Sequence, residues 1–139
     1  MAKLPRKLRD KINERGAGIC EYCRSNSKYS ESPFESDHII PEVRGGKDTL
    51  ENLAFACRGC NGRKLGFTDG VDPLSGNAAR LFDPRNDNWY AHFSWSADFT
   101  LIIGLTAIGR ATINRLALNR KGLVNQRTVL YKYGVHPPD

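Results

Sequence analysis

Leu4, Leu8 and Ile12 recur at every fourth position among charged and polar residues, which lays an apolar stripe along one side of a short helix. Pro5 is acceptable in the first turn of that helix, and Gly16 and Gly18 end it. Residues 24–33 are polar and include four serines, the composition of a loop. Residues 34–40 then read as a strand limited by Pro41. Gly45-Gly46 marks a turn before a second strand that ends near Cys57. A short helix starts at Asn61 and is stopped by Gly66, so residues 37–65 are expected to run strand, turn, strand, helix.

Beyond Gly66 the pattern changes. Residues 66–88 are rich in Gly, Pro, Asp and Asn and are expected to form a surface-hugging loop. Trp89, Tyr90, Phe93 and Trp95 concentrate aromatic side chains just after it. Leu101-Ile102-Ile103 resembles a buried strand, which predicts a second hairpin around Ala97-Asp98. Thr106 is placed to N-cap a helix running to about Asn119, and residues 122–133 predict another, closed by Gly134. Neither helix has one clean apolar stripe: Ile108, Ala111 and Leu118 lie on a different side from Ile113 and Leu116. Such helices either pack on two sides or contribute to a dimer interface.

With 139 residues the chain fits one domain, expected here over 1–139, with a modest core that a structural metal would help to hold. No apolar stretch approaches the length of a membrane span, and the basic residues of the first fifteen positions are not followed by an apolar signal region. A soluble, cytoplasmic protein without a membrane partner is the expectation. In such a reducing compartment the two pairs Cys20/Cys23 and Cys57/Cys60, which use all four cysteines, favour a tetrahedral Zn²⁺ over disulfides or free thiols.

The formal charge of +6 points to a polyanionic partner. Its distribution is more informative. Between Asp98 and Asp139 there is no acidic residue, while Arg110, Arg115, Arg120, Lys121, Arg127 and Lys132 all fall there; Lys3, Arg6, Lys7, Arg9, Lys11 and Arg15 make the other end basic too. A one-signed block of this length favours nucleic acid over a merely solvated face. Four thiolates around one Zn²⁺ carry a net charge of about −2, which would bring the loaded chain nearer to about +4.

Inside the cysteine bracket lie the parts needed to cut a phosphodiester: a base to activate water, and oxygen ligands for a cation that neutralises the leaving group. His38 suits the first role, and Asp37 and Asn61 suit the second for a hard cation such as Mg²⁺ or Mn²⁺. Thiolates would keep zinc apart from that oxygen site. Adjacent residues on a regular strand point to opposite faces, so joint action of Asp37 and His38 predicts a bend or twist at the strand's end.

The string Asp37-His38-Ile39-Ile40-Pro41, with Gly45-Gly46, Asn52-Leu53, Cys57-Arg58-Gly59-Cys60-Asn61 and Lys64, resembles the HNH endonuclease family with its ββα-metal fold, over about residues 20–65. The resemblance implies an α+β chain whose zinc-stabilised core spans 16–66, with a C-terminal hairpin and two-helix extension over 67–139 packed on it. It implies His38 as general base, Asp37 and Asn61 as ligands of the catalytic cation, and Cys20, Cys23, Cys57 and Cys60 as ligands of a structural zinc. Asn52 matches the family's central asparagine, which tethers the turn between the strands and so orients the histidine. Many relatives carry histidine where this chain has Asn61, which makes it an HNN variant. The implied activity is hydrolysis of DNA, by nicking or double-strand cutting, leaving a 5′-phosphate and a 3′-hydroxyl.

Plainer roles stand beside these. Asn61 also suits an N-cap of the helix that follows it. Lys64 is expected to contact phosphate; Arg58 and Arg63 either do the same or offset thiolate charge, and Arg110 is a weaker candidate for gripping DNA. His92, among aromatics, is expected to pack, and His136 to be inert. A zinc-stabilised nucleic-acid-binding module without catalysis is the rival reading, and a symmetric homodimer is compatible with the two-sided tail helices.

Overall fold

The computed structural model describes residues 4–138; Lys3, one of the basic residues named above, and the terminal Asp139 lie outside them. Helix α1 spans Arg6–Gly16, one residue after Pro5, and closes on Ala17 in the left-handed region. Its apolar stripe faces a small core in which Ile12, Leu53 and Phe55 are buried and Leu4, Leu8, Phe34 and Leu50 pack around them.

Strand β1 (Glu35–His38) pairs antiparallel with β2 (Leu53–Ala56), in the register Glu35↔Ala56, Ser36↔Phe55, Asp37↔Ala54 and His38↔Leu53. All four residues of β2 are buried because the strand separates two cores. Leu53 and Phe55 face α1, whereas Ala54 and Ala56 face the main core with the four cysteines. Opposed residues of an antiparallel pair share a face, so Glu35 and Asp37 belong to the cysteine side and Ser36 and His38 to the α1 side.

Helix α2 spans Arg58–Lys64 and so begins three residues before the expected start. The cap is Cys57, whose Sγ accepts the Cys60 amide, and Asn61 sits inside the helix. A thiolate at a helix N-terminus takes the place that a hydroxyl or amide side chain usually fills. The N-cap reading of Asn61 is therefore corrected.

The stretch after Gly66 is not only loop. Asp69–Val71 (β3) and Ala78–Arg80 (β4) form an antiparallel hairpin. A one-turn helix α3 (Trp89–His92) leads into β5 (Phe93–Trp95), which pairs with β6 (Ile102–Gly104) around the expected turn. Thr106 caps α4 by accepting the Gly109 amide. That helix covers Ala107–Leu116 and stops at left-handed Ala117, short of Asn119. It packs against β3, β4, β6 and α2, which explains its lack of a single stripe. Helix α5 spans Lys121–Lys132. Among the described residues the result is an α+β fold of five helices and three two-stranded sheets, with β1, β2 and α2 as its ββα core. None of these helices is long and apolar enough to cross a membrane.

Candidate functional site

The two CxxC turns meet as the spacing predicts. The Sγ atoms of Cys20, Cys23, Cys57 and Cys60 all lie within 4.8 Å of one another. Cys23 and Cys57 are 3.7 Å apart, and donors at the corners of a Zn–S tetrahedron stand about 3.8 Å apart for bonds of about 2.3 Å. Cys20 Sγ accepts the Cys23 amide and Cys57 Sγ the Cys60 amide, each at 3.4 Å, so both turns aim their sulfurs inward. Burial pushes the Cys20 thiol up, while hydrogen bonds from Cys20, Cys23 and Cys60 hold Cys57 far below its ordinary value. Without a cation such a buried set cannot ionise throughout, and Zn²⁺ suits it in size, number and softness of ligands.

A cation from the tail covers this centre. Arg120 donates to Cys57 Sγ at 3.5 Å and to Cys60 Sγ at 3.6 Å, and also to the last carbonyls of α4 at Leu116 and Ala117. A Cβ at Gly59 would lie 2.6 Å from this guanidinium, so glycine inside the second CxxC is what lets it approach. Burial works against the charge on Arg120, yet the neighbouring thiolates, Cys60 first, hold its pKa above the ordinary value.

At the other side of β1 the chain makes a tight excursion over residues 39–52. Gly45 takes φ +89° at its turn, and a Cβ at Gly46 would lie 1.7 Å from the Ile40 carbonyl oxygen. Asn52 closes the excursion: its Oδ1 accepts the Ile40 amide at 2.8 Å, and its Nδ2 donates to the carbonyls of Ile40 at 2.9 Å and Lys47 at 3.0 Å.

Asp37 and His38 alternate faces, as an evenly paired strand requires, and only at Ile39-Ile40 does the backbone bend. Asp37 is 2% exposed. Its carboxylate accepts from Tyr22 Oη at 2.7 Å and meets Lys64 Nζ at 3.3 Å. Burial raises the Asp37 pKa above the usual carboxylate range despite Lys64. His38 turns the other way, with Nε2 2.7 Å from Asp48 Oδ1 and 3.5 Å from Glu42 Oε1. Even so, Asp37, His38 and Asn61 all line one open cavity of about 470 Å³, together with Leu4, Pro41 and Glu42.

Asn61 donates through Nδ2 to Glu35 Oε1 at 2.7 Å, so β1 and α2 face each other as Glu35–Asn61 and Asp37–Lys64. The oxygen donors Glu35, Asp37 and Asn61 fit a hard cation by chemistry. In the arrangement seen here Asp37 is occupied by Tyr22 and Lys64.

Several expected nucleic-acid contacts are turned inward. Lys64 is 1% exposed, with its ammonium on Asp37 and on the carbonyls of His38 and Ile39, so it does not reach a phosphate outside. Arg110 makes a two-pronged pair with Asp72, at 2.9 Å and 3.1 Å. Arg115 stacks 3.8 Å over Phe67, and buried Arg127 donates to the carbonyls of Thr100 and Leu118. Arg58 and Arg63 remain exposed on α2. His92 packs against Phe82 and bonds Thr106, and His136 is buried against Trp95.

Sequence reasoning passed over Glu35, Glu42, Asp48 and Tyr22, and counted Arg120 only within the basic block of the tail. Period-two alternation from Asp37 would have found Glu35. Glu42 stands four residues after His38 and Tyr22 lies inside the first CxxC turn, both local positions, whereas Asp48 and Arg120 depend on how the loop and tail fold back.

A bracket of four buried thiols around a ββα unit, with Asp-His at the end of its first strand and Asn on its helix, is now placed in space. The family model for HNH endonuclease agrees in extent. Residues 20–65 match it. The match covers both CxxC turns, β1, β2 and α2 and ends just after Lys64. The matched segment covers about a third of the chain, and its likeness to HNH endonuclease suggests a nuclease or nucleic-acid-binding function together with metal binding. No curated protein and no solved structure matches the chain.

Proposed function

We propose that the protein is a metal-dependent HNH endonuclease that hydrolyses DNA phosphodiester bonds. The observation that carries this reading is the placement of His38: at the open end of β1, on the opposite face of the strand from the Asp37 carboxylate yet lining one cavity with Asp37 and Asn61, with its Nε2 side held by Asp48. When Nε2–H donates to that carboxylate, Nδ1 is the nitrogen with a free lone pair. His38 Nδ1 then takes a proton from water, the hydroxide attacks phosphorus, and the P–O3′ bond breaks, the departing 3′-oxygen taking a proton from solvent, to leave a 5′-phosphate and a 3′-hydroxyl. Asn52, by fixing Ile40 two residues on, keeps the imidazole at the cavity mouth. A cation held by Asp37 and Asn61, with Glu35 beside them, would supply neutralisation of the charge on the leaving oxygen. Arg58 and Arg63 are the exposed cations of the HNH segment that suit phosphate contact. The four buried free cysteines suit a reducing cytoplasm and one structural Zn²⁺.

One observation favours the rival, a zinc-stabilised binding module without catalysis: Asp37 is already satisfied by Tyr22 and Lys64. Supercoiled plasmid incubated with the protein and Mg²⁺ or Mn²⁺ separates the two. Nicking by the wild type that falls by at least about a hundredfold in His38→Ala supports the enzyme. Binding without cutting under either metal leaves the module. Linear rather than nicked product would point to a symmetric pair of chains acting on both strands.

A further inference from the structure

A second set of metal donors converges on the histidine itself. The ligand atoms of His38, Glu42 and Asp48 all lie within 4.8 Å of one another. Nε2 is 3.5 Å from Glu42 Oε1 and 2.7 Å from Asp48 Oδ1. Around a tetrahedral ion with bonds of about 2.0–2.1 Å, neighbouring donors stand about 3.3 Å apart, so Glu42 is at the right separation and Asp48 must withdraw by about 0.6 Å. Among the described residues neither carboxylate has a lysine or arginine partner, and the two share one imidazole nitrogen. Their side chains are 45% and 46% exposed, against 2% for Asp37, so ions from solvent reach them freely. One imidazole nitrogen with two carboxylates is a donor set for Zn²⁺, Co²⁺ or Ni²⁺, whereas Mg²⁺ prefers oxygen alone.

We propose that His38, Glu42 and Asp48 form a divalent transition-metal site whose occupation switches the nuclease off. The switch rests on the reading of His38 as base; the site does not. A neutral imidazole carries one N–H. Without the ion it sits on Nε2 and is donated to Asp48, and Nδ1 keeps the lone pair that accepts a proton from water. An ion at Nε2 takes the lone pair there, the proton moves to Nδ1, and the base is gone. Glu42 comes from the single 3₁₀ turn after Pro41, and Asp48 from the loop that Asn52 ties at Ile40 and Lys47. The tie that holds the base in place therefore also fixes the spacing of the ligands.

Protein carrying its one structural zinc is titrated with Zn²⁺ by calorimetry, and plasmid nicking in fixed Mg²⁺ is followed over the same zinc range, each variant scaled to its own rate before zinc is added. The wild type is expected to bind a second equivalent and to lose activity as that equivalent fills. Glu42→Gln/Asp48→Asn should bind it at least about a hundredfold more weakly and resist inhibition by a similar factor, while Asp37→Asn retains it. Structural zinc at one per chain and an unchanged far-UV spectrum check that each variant folds; Glu42→Gln alone, altered only at an exposed side chain, is the milder test. No second equivalent, its loss in Asp37→Asn with retention in the double variant, or a filled site without inhibition would each overturn the proposal. Calorimetry needs no cutting, so it decides the site even where His38→Ala still nicks and the proposed function falls.

Discussion

Lys64 and Asp37 depend on each other. Each is almost fully buried, and each would face several kcal/mol of desolvation if left alone. Lys64 is further tied to the carbonyls of His38 and Ile39, so one ammonium joins the last turn of α2 to the end of β1. Replacing it by methionine keeps the unbranched apolar stem, one atom shorter, but strands the carboxylate with only Tyr22. Lys64→Met is expected to destabilise the zinc-loaded protein by about 3–5 kcal/mol, read from the urea midpoint and slope. Adding Asp37→Asn to that variant should restore part of the loss, because the stranded charge is then removed. A loss below about 1 kcal/mol would mean that water already solvates Asp37. The sequence brings Asp37, His38 and Asn61 to one cavity because neighbours of a strand end and of a paired cysteine have little freedom of place. It could not mark Lys64 as buried, since a lysine in a basic helix ordinarily faces solvent.

At the scale of elements, what was legible depended on period and punctuation. The stripe of α1, the Gly45-Gly46 turn, the aromatic hairpin of β5 and β6, and the Thr106 cap all have local signatures, and each formed close to where those signatures placed it. The hairpin of β3 and β4 has none: its strands are three residues long, read DGV and AAR, and are held from outside. Asp72 does much of that holding. It is 1% exposed, accepts the Leu74 amide and Ser75 hydroxyl in the turn, and takes both prongs of Arg110 from α4. Arg110 foremost holds the Asp72 pKa far below the ordinary carboxylate value. A carboxylate depressed in the fold adds stability above its unfolded pKa and loses it as pH falls through the folded one. Asp72→Asn should therefore lower the denaturant midpoint at neutral pH and flatten its decline on acidification, compared between pH about 7 and about 2. Parallel curves for the two proteins would show that the acid sensitivity arises elsewhere.

Over the whole molecule, the basic block of the tail is largely internal wiring. Arg110 pairs with β3's turn, Arg115 covers Phe67, Arg120 caps the cysteine cluster and Arg127 ties the Thr100 carbonyl to that of Leu118, so charge counted along the chain overstates what is offered to a polyanion. The same wiring bears on how the two halves depend on one another. The main core holds all four cysteines in one cluster with Leu81, Phe82, Trp89, Phe93, Ile102, Leu116, Leu118 and Leu123. Trp89 Nε1 donates to the Tyr22 carbonyl inside the first CxxC turn, at 3.0 Å. Metal binding to such a set is part of folding free energy, and a core shared between segments passes the loss of metal to both. Both tryptophans, Trp89 and Trp95, lie outside the HNH segment. They therefore report on the tail when zinc is taken from the other half. Chelation of the zinc is expected to shift tryptophan emission to the red together with the loss of far-UV signal, in one transition, and restored zinc should reverse both. Zinc loss with unchanged tryptophan emission would instead make residues 67–139 a unit that stands without the metal, and Arg120 a contact of convenience rather than a link between the halves.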